Sequence, residues 1–285
     1  MIKPSGRSKA IIYLVITATL WSLGGILIKS INWNPAAIAG MRSAIAAVVL
    51  LIYMKKPKFT WSPAQLGAAF AYFATVMLFV IANKTTTAAN AIFLQYTAPI
   101  YVAIFGTWFL KENPKVIDWL LIFIILGGMA LFFLDHLNTN GVIGNILAAL
   151  SGVSFGFFAI FMRLQKNGSP LESVFLGNIL TALVGLPFMF ASQPSTQGWI
   201  GLILLGVLQL GIPYILYAAA IKHVTALEAI LIPVIEPILN PIWVLLLLKE
   251  TPGIFSIIGG TLVIIAVTIR CILPTIKGKY NIFYL

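Results

Sequence analysis

A glutamate sits in the middle of an apolar run that is broken by a proline at every fourth residue. Residues 226–243 read AlaLeuGluAlaIleLeuIleProValIleGluProIleLeuAsnProIleTrp, with Pro233, Pro237 and Pro241 four apart and Glu236 among them. That spacing stacks the three rings on one face of a helix. Proline has no amide hydrogen, so the carbonyls of Ala229, Pro233 and Pro237 lose their helical donors. In an apolar medium, such freed acceptors must face protein or a water-filled cavity. Glu236 lies far from either end of the run, where an ionised carboxylate is costly unless paired or hydrated. Burial disfavours the charged form of a carboxylic acid, so a group placed here can gain and release a proton as water reaches it from alternate sides. Proton coupling or contact with a cationic substrate group follows; the plainer alternative is a fixed hydrogen bond to a neighbouring helix.

Other polar and aromatic residues fall inside apolar runs. Asn90, Gln95, Tyr96 and Tyr101 share the run at 88–110, Phe79 and Asn83 the run before it, and Tyr214 and Tyr217 a later one. Gln95 can donate and accept, and Tyr96 offers an apolar face with a polar tip, so together they can form a polar and aromatic wall. Taken singly, each is better explained by core packing. Arg42 admits two readings, binding an anionic substrate group or binding the carbonyl end of a neighbouring helix. Lys84 and Lys222 occupy equivalent turns and read as snorkelling side chains. The two histidines, His136 and His223, fall at segment ends, and the single cysteine, Cys271, excludes an internal disulfide. There is no GxxxxGK[ST] loop, no HExxH helix and no Ser/His/Asp arrangement, so the chain is not expected to be an enzyme, and no cofactor or metal site is expected.

The elements that must position these residues are membrane helices. Of 285 residues, 60% are hydrophobic and 9% charged, and the mean hydropathy is +1.03; a soluble domain cannot hide that much apolar surface. With about 20 apolar residues needed per crossing, spans are expected at 10–29, 36–54, 63–82, 88–110 and 115–134, and again at 142–163, 172–191, 199–220, 226–248 and 254–273. The first follows Lys3, Arg7 and Lys9 but lacks a convincing cleavage site, so it reads as a retained helix. LeuLysGluAsnPro at 110–114 returns as LeuLysGluThrPro at 248–252, and the same shift lays Lys84 on Lys222, Ala91 on Ala229, Pro99 on Pro237 and Ile100 on Ile238. The Lys-Glu pairs, Lys111 with Glu112 and Lys249 with Glu250, read as boundary anchors or gate contacts.

The expected fold class is therefore an all-α integral membrane protein of ten transmembrane helices in two inverted five-helix repeats, 1–135 and 142–275, followed by a cytoplasmic tail at 276–285. Five crossings per repeat invert the second against the first, the usual architecture of a secondary transporter. The net charge of +11 sits mainly at loops on one side of this arrangement. That bias places both termini in the cytoplasm and removes any need for a nucleic-acid partner. The expected partners are the lipid bilayer and a small-molecule substrate, with proton coupling, in a monomer or homodimer. Trp33, Trp61, Trp108, Trp119 and Trp199 near span ends read as interfacial anchors. The glycines at 24–25, 127–128, 152–156 and 259–260 read as helix-packing positions, with a substrate-facing role open for Gly24 and Gly156.

Ten spans in two repeats, TrpSerLeuGlyGly at 21–25, Arg42 in the second span, Pro99 followed by LysGluAsnPro, and GluPro at 236–237 followed by LysGluThrPro resemble the EamA family of the drug/metabolite transporter superfamily. The resemblance covers nearly the whole chain, although each motif is short; Lys precedes Glu in both closing motifs where many relatives show Gly. It implies a bacterial inner-membrane carrier of small metabolites, often amino acids, with a central cavity lined by early, third and fourth spans of both halves. Carried onto this sequence, the resemblance points to Trp21, Gly24, Phe79, Asn83, Gln95, Tyr96, Ser154, Phe158, Tyr214 and Glu236. Export of amino acids or related metabolites is the leading expectation. Uptake of a cofactor-like or nucleotide-like metabolite is the alternative within transport, and a membrane-embedded enzyme or lipid-handling scaffold the alternative outside it.

Overall fold

The computed structural model describes residues 6–134, 141–239 and 253–280, with side chains to residue 272. His136, Pro241 and the second repeat-closing run at 248–252 lie outside these residues. The described chain is helical: α1 (Gly6–Ser30), α2 (Pro35–Met54), α3 (Pro63–Thr85), α4 (Ala88–Leu110), α5 (Val116–Phe132), α6 (Val142–Leu164), α7 (Pro170–Met189) and α8 (Thr196–Ala220). Then comes α9, which begins with Ala226–Leu231, passes through a 3-10 turn at Ile232–Ile235 and is described to residue 239. The last helix, α10 (Ile254–Tyr280), continues past 276, where a tail was expected. Eight of these helices are long and apolar enough to cross a membrane. The exceptions are α9, described only in part, and α5, whose 17 residues span about 25 Å at 1.5 Å per residue.

Local chemistry sets where the helices begin. Asn34 caps α2 by accepting from the amides of Ala36 and Ala37, ahead of Pro35 at the first helical position, a place where proline sacrifices no bond. Ser62 and Pro63 do the same for α3, and Ser195 caps α8. Thr87 accepts from the Asn90 amide to open α4. At the matching place in the second half, Thr225 and Glu228 form a capping box that opens α9. Large apolar side chains such as Ile52, Phe70, Trp108, Phe123, Leu183 and Ile254 point outward, which suits lipid rather than water.

The helices pack in pairs that exchange between the halves. α3 lies along α6 and α8 along α1; α4 crosses α6 and α9 crosses α1; α2 packs on α7 and α5 on α10. Glycine makes two of these contacts close. A Cβ on Gly185 of α7 would lie 2.7 Å from the Gly40 Cα of α2, and one on Gly259 of α10 would collide with the Gly128 carbonyl of α5, so only glycine fits either crossing. Both pairs run antiparallel. Ser256 Oγ donates to the Phe132 carbonyl at 3.0 Å at one end of the α5/α10 pair, and Arg270 meets Asp118 at 3.2 Å near the other; α2 likewise runs from Gly40 beside Gly185 to Met54 beside Pro170.

Two expectations change here. Lys84 does more than snorkel: its Nζ donates to the Ile31 carbonyl at 2.6 Å, while Lys29 Nζ donates to the Thr86 carbonyl at 2.9 Å. Each lysine thus satisfies carbonyls that the other helix leaves free at its C-terminus. Trp33 is buried rather than interfacial, donating from Nε1 to the Ser192 carbonyl at 2.8 Å and lying near Trp199.

Candidate functional site

Four helices lose regular geometry part-way along their described course. In α1, the helix stops at Trp21 and restarts at Gly24. In α4, it stops at Gln95 and restarts at Ala98, just ahead of Pro99. In α8, residues Leu205–Gly211 wind as a π-helix, with the Ile212 amide bonding the Val207 carbonyl five residues back. Pro213 supplies a physical cause, since it cannot donate to the Gln209 carbonyl and its ring crowds that position. In α9, the 3-10 turn at Ile232–Ile235 contains Pro233. Broken helices and π-turns are a recurrent way to place polar groups inside a membrane bundle.

These breaks surround one cavity, lined by Trp21, Arg42, Thr75, Val76, Phe79, Gln95, Phe155, Gln209, Leu210, Tyr214 and Glu236. Its volume is about 30 Å³, room for about two waters, so a metabolite requires it to widen. Of the residues named from sequence, Trp21, Phe79, Gln95, Tyr214 and Glu236 line it directly. Tyr96 stands behind Glu236, and Gly24 lies where a Cβ would be 2.9 Å from Gln209 Nε2. Phe158 is one layer away, packed on Tyr72, Phe155, Tyr214 and Tyr217.

Two residues named from sequence are not brought to this wall. Asn83 is buried one turn beyond Phe79, and neither atom of its amide has a partner. Ser154 turns away and bonds the Leu150 carbonyl of its own helix at 2.9 Å. Its place is taken by Ser151, which accepts from Gln95 Nε2 at 2.8 Å and donates to the Thr75 carbonyl at 3.0 Å. Gly156, left open from sequence, packs against Tyr101 and the Ala98 carbonyl of α4.

Glu236 is 8% exposed, so its neighbours decide its state. The Tyr96 hydroxyl lies 2.5 Å from Glu236 Oε2 and 3.0 Å from the Pro233 carbonyl. That carbonyl gets no donor from residue 237, a proline, and accepts instead from the Glu236 amide three residues on. Tyr96 has one hydrogen and two acceptors in reach. When Glu236 is ionised, the hydroxyl serves the carboxylate and the Pro233 carbonyl keeps only the Glu236 amide. When Glu236 carries a proton, Glu236 can donate to the Tyr96 oxygen, and Tyr96 to Pro233. Both protonation states are therefore accommodated by rotation of one hydroxyl.

Arg42 is 1% exposed, and an arginine at such depth in a membrane helix costs about 3 kcal/mol on insertion scales. Its Nη1 donates to Gln209 Oε1 at 2.9 Å, while Nε has no partner. Gly206 lets α8 approach closely enough for this, since a Cβ there would fall 2.5 Å from Ile45 and 2.9 Å from the Arg42 carbonyl. Among the described residues, ion pairs join Arg7 to Glu228, Arg163 to Glu112, and Arg270 to Asp118 and Glu228; none joins Arg42 to Glu236. The sequence reading weighed Arg42 without assigning it to the cavity and did not single out Gln209, Thr75, Ser151 or Phe155. Gln209 carried a visible signal: a lone amide in an apolar run, four residues before Pro213 and between Gly206 and Gly211.

Two layers separate the cavity from the end where α1 begins. The nearer is aromatic, with Trp21, Tyr72, Phe158, Tyr214 and Tyr217 in mutual ring contact, the closest pair being Tyr72 and Tyr214 at 4.8 Å. The farther is ionic. Glu228 binds Arg7 at 2.8 Å and Arg270 at 3.5 Å. Glu112, from the first repeat-closing motif, accepts from Arg163 Nε at 2.8 Å and from the Ala226 amide at 2.9 Å. It thereby ties the α4–α5 connection of the first half to the start of α9, which makes it a contact between halves rather than a boundary anchor alone.

Comparison with known proteins agrees with this architecture. The sequence profile of the EamA-like transporter family matches residues 8–134 and, separately, 142–270. An uncharacterised transporter of Archaeoglobus fulgidus is 24% identical, over 90% of this chain and 94% of its own length. The pseudopaline exporter CntI of Pseudomonas aeruginosa is 26% identical over 90% and 93%, and the uncharacterised transporter YdfC of Bacillus subtilis 29% over 82% and 80%. A solved crystal structure superposes with a TM-score of 0.79 over 94% of this chain and 98% of that one, at 16% identity, and so shows the fold alone. With both profile matches together spanning most of a multi-pass helical membrane chain, the protein belongs to the EamA-like transporter family.

Proposed function

We propose that the chain is a secondary transporter that exports amino acids or related small metabolites across the plasma membrane by alternating access to the cavity between its halves. The observation that carries this reading is the cavity itself: small, set at the breaks of four helices, and faced by Arg42 and Glu236 from different helices. Midplane sites at broken helices suit carriers, because a few bent segments can gate either side. The aromatic and ionic layers toward the α1 start act as the closed gate of this conformation. Export is favoured by the name of one relative, an exporter.

In this reading the chain has ten crossings in two inverted repeats, 1–135 and 142–275, with both termini cytoplasmic. Support comes from packing. Exchanging each helix of one half for its counterpart, α1 for α6 through α5 for α10, maps the principal contacts onto one another. The counterparts α2 and α7 are antiparallel, as are α5 and α10, and a two-fold axis that swaps antiparallel helices lies in the membrane plane. Glu236 is the coupling group, taking a proton from one side and releasing it to the other while Tyr96 turns between the carboxylate and the Pro233 carbonyl.

Counterflow in proteoliposomes tests the reading. Purified protein should exchange labelled for unlabelled compound, saturably, for one class in a panel of amino acids and related metabolites. Absence of exchange for the entire panel would count against transport of this class.

A further inference from the structure

Arg42 has more hydrogen-bonding capacity than the protein uses. A guanidinium offers five donors in a planar fork, yet the bond to Gln209 Oε1 is the one that holds it, and Nε has no partner. Among the described residues no carboxylate pairs with it, although it is buried on the cavity wall. The surrounding helices are shaped to keep the pair in place. The π-turn and Gly206 bring Gln209 against α2, and Gly24 leaves room on the other side of the Gln209 amide. A buried, uncompensated cation held by a neutral amide suits a ligand that arrives with its own negative charge, and the guanidinium fork matches a carboxylate.

We propose that Arg42, braced by Gln209, is a carboxylate-binding subsite. The transported molecule is then a zwitterion whose carboxylate meets Arg42 while its amino group faces Glu236 on the same cavity. This assignment rests on the transport reading and narrows it. Arg42 becomes the residue that separates acids from their neutral or purely cationic analogues. Gln209 is a positioning residue that fixes the guanidinium plane.

The test compares compounds first and variants second. Full-length protein in proteoliposomes is loaded with L-amino acids, each alongside its carboxamide and its decarboxylated amine. For whichever amino acid exchanges, both analogues should exchange at least tenfold more slowly. Equal rates for acid and carboxamide overturn the subsite while leaving transport standing; no flux of any acid or analogue overturns transport and the subsite together. Arg42→Gln should bring the acid-to-carboxamide ratio close to one, whereas Arg42→Lys should keep part of the preference. A purely structural role for Arg42 would lower all fluxes alike and leave the ratio unchanged, which also overturns the proposal. Should Arg42→Gln fail to elute as a folded protein, the comparison of compounds on the unaltered chain decides alone.

Discussion

In the proposed cycle Glu236 and Tyr96 work as a pair, because the Tyr96 hydroxyl reaches both the carboxylate and the Pro233 carbonyl. Glu236→Gln mimics the protonated acid, so its exchange rate should lose the pH dependence of the unaltered protein; an unchanged pH profile rejects the coupling role. Tyr96→Phe removes the rotating hydroxyl and should slow exchange in the unaltered protein, but far less on the Glu236→Gln background. The double-mutant cycle should show coupling of about 1 kcal/mol or more, and additivity within about 0.5 kcal/mol would separate the two residues. Ser151 and Ser154 offer a second contrast. Ser151→Ala removes the acceptor that holds Gln95 at the cavity and should reduce exchange several-fold, while Ser154→Ala should be silent in the same assay. The proline-broken run singled out Glu236 in the sequence, and Tyr96 stood out there as a polar aromatic inside an apolar run. The choice between Ser151 and Ser154 was not legible there, because the two are only about 60° apart around α6, and its packing against α3 and α4 decides which one faces inward.

Elements were easier to read than their distortions. The apolar runs expected to begin at 36, 63, 88, 199 and 226 start within three residues of the helices at 35, 63, 88, 196 and 226, where Asn34, Ser62, Thr87, Ser195 and Thr225 supply the caps. The π-turn in α8 was missed: Pro213 announces a disturbed helix, but whether a turn widens or tightens depends on what packs beside it, here α2 through Gly206. The same dependence governs the glycines, which look alike in sequence. Gly259 is pressed against the Gly128 carbonyl, whereas Gly127 is exposed and a Cβ there would meet nothing within 4 Å. Gly259→Ala should therefore separate α5 from α10 and cost about 2 kcal/mol or more. Gly127→Ala should be neutral or stabilising by up to about 1 kcal/mol through helix propensity. Thermal unfolding in detergent checks both, and equal effects would contradict the close crossing.

At the scale of the molecule, the duplication shows in the chain and the difference between its halves shows at the cavity. Glu236 faces the site from α9, yet its counterpart on α4 is Ala98, and α1 breaks at Ser22 and Leu23 while its counterpart α6 runs unbroken. In the proposed cycle, repetition builds the scaffold that rocks and asymmetry supplies the coupling group. The proposed inversion predicts that the α2–α3 loop at 55–62 and its counterpart at 190–195 lie on opposite sides of the membrane. Single cysteines placed in each, on a Cys271→Ser background, should be labelled by an impermeant reagent from opposite sides in intact cells and inverted vesicles; labelling from one side would exclude inversion. The most direct test of proton-coupled transport around Glu236 is exchange-competent substrate flux under an imposed pH gradient in proteoliposomes. The account predicts that the gradient accelerates net flux through the unaltered protein, while Glu236→Gln still exchanges substrate but ignores the gradient. A Glu236→Gln protein that responds to the gradient as the unaltered one does would contradict it.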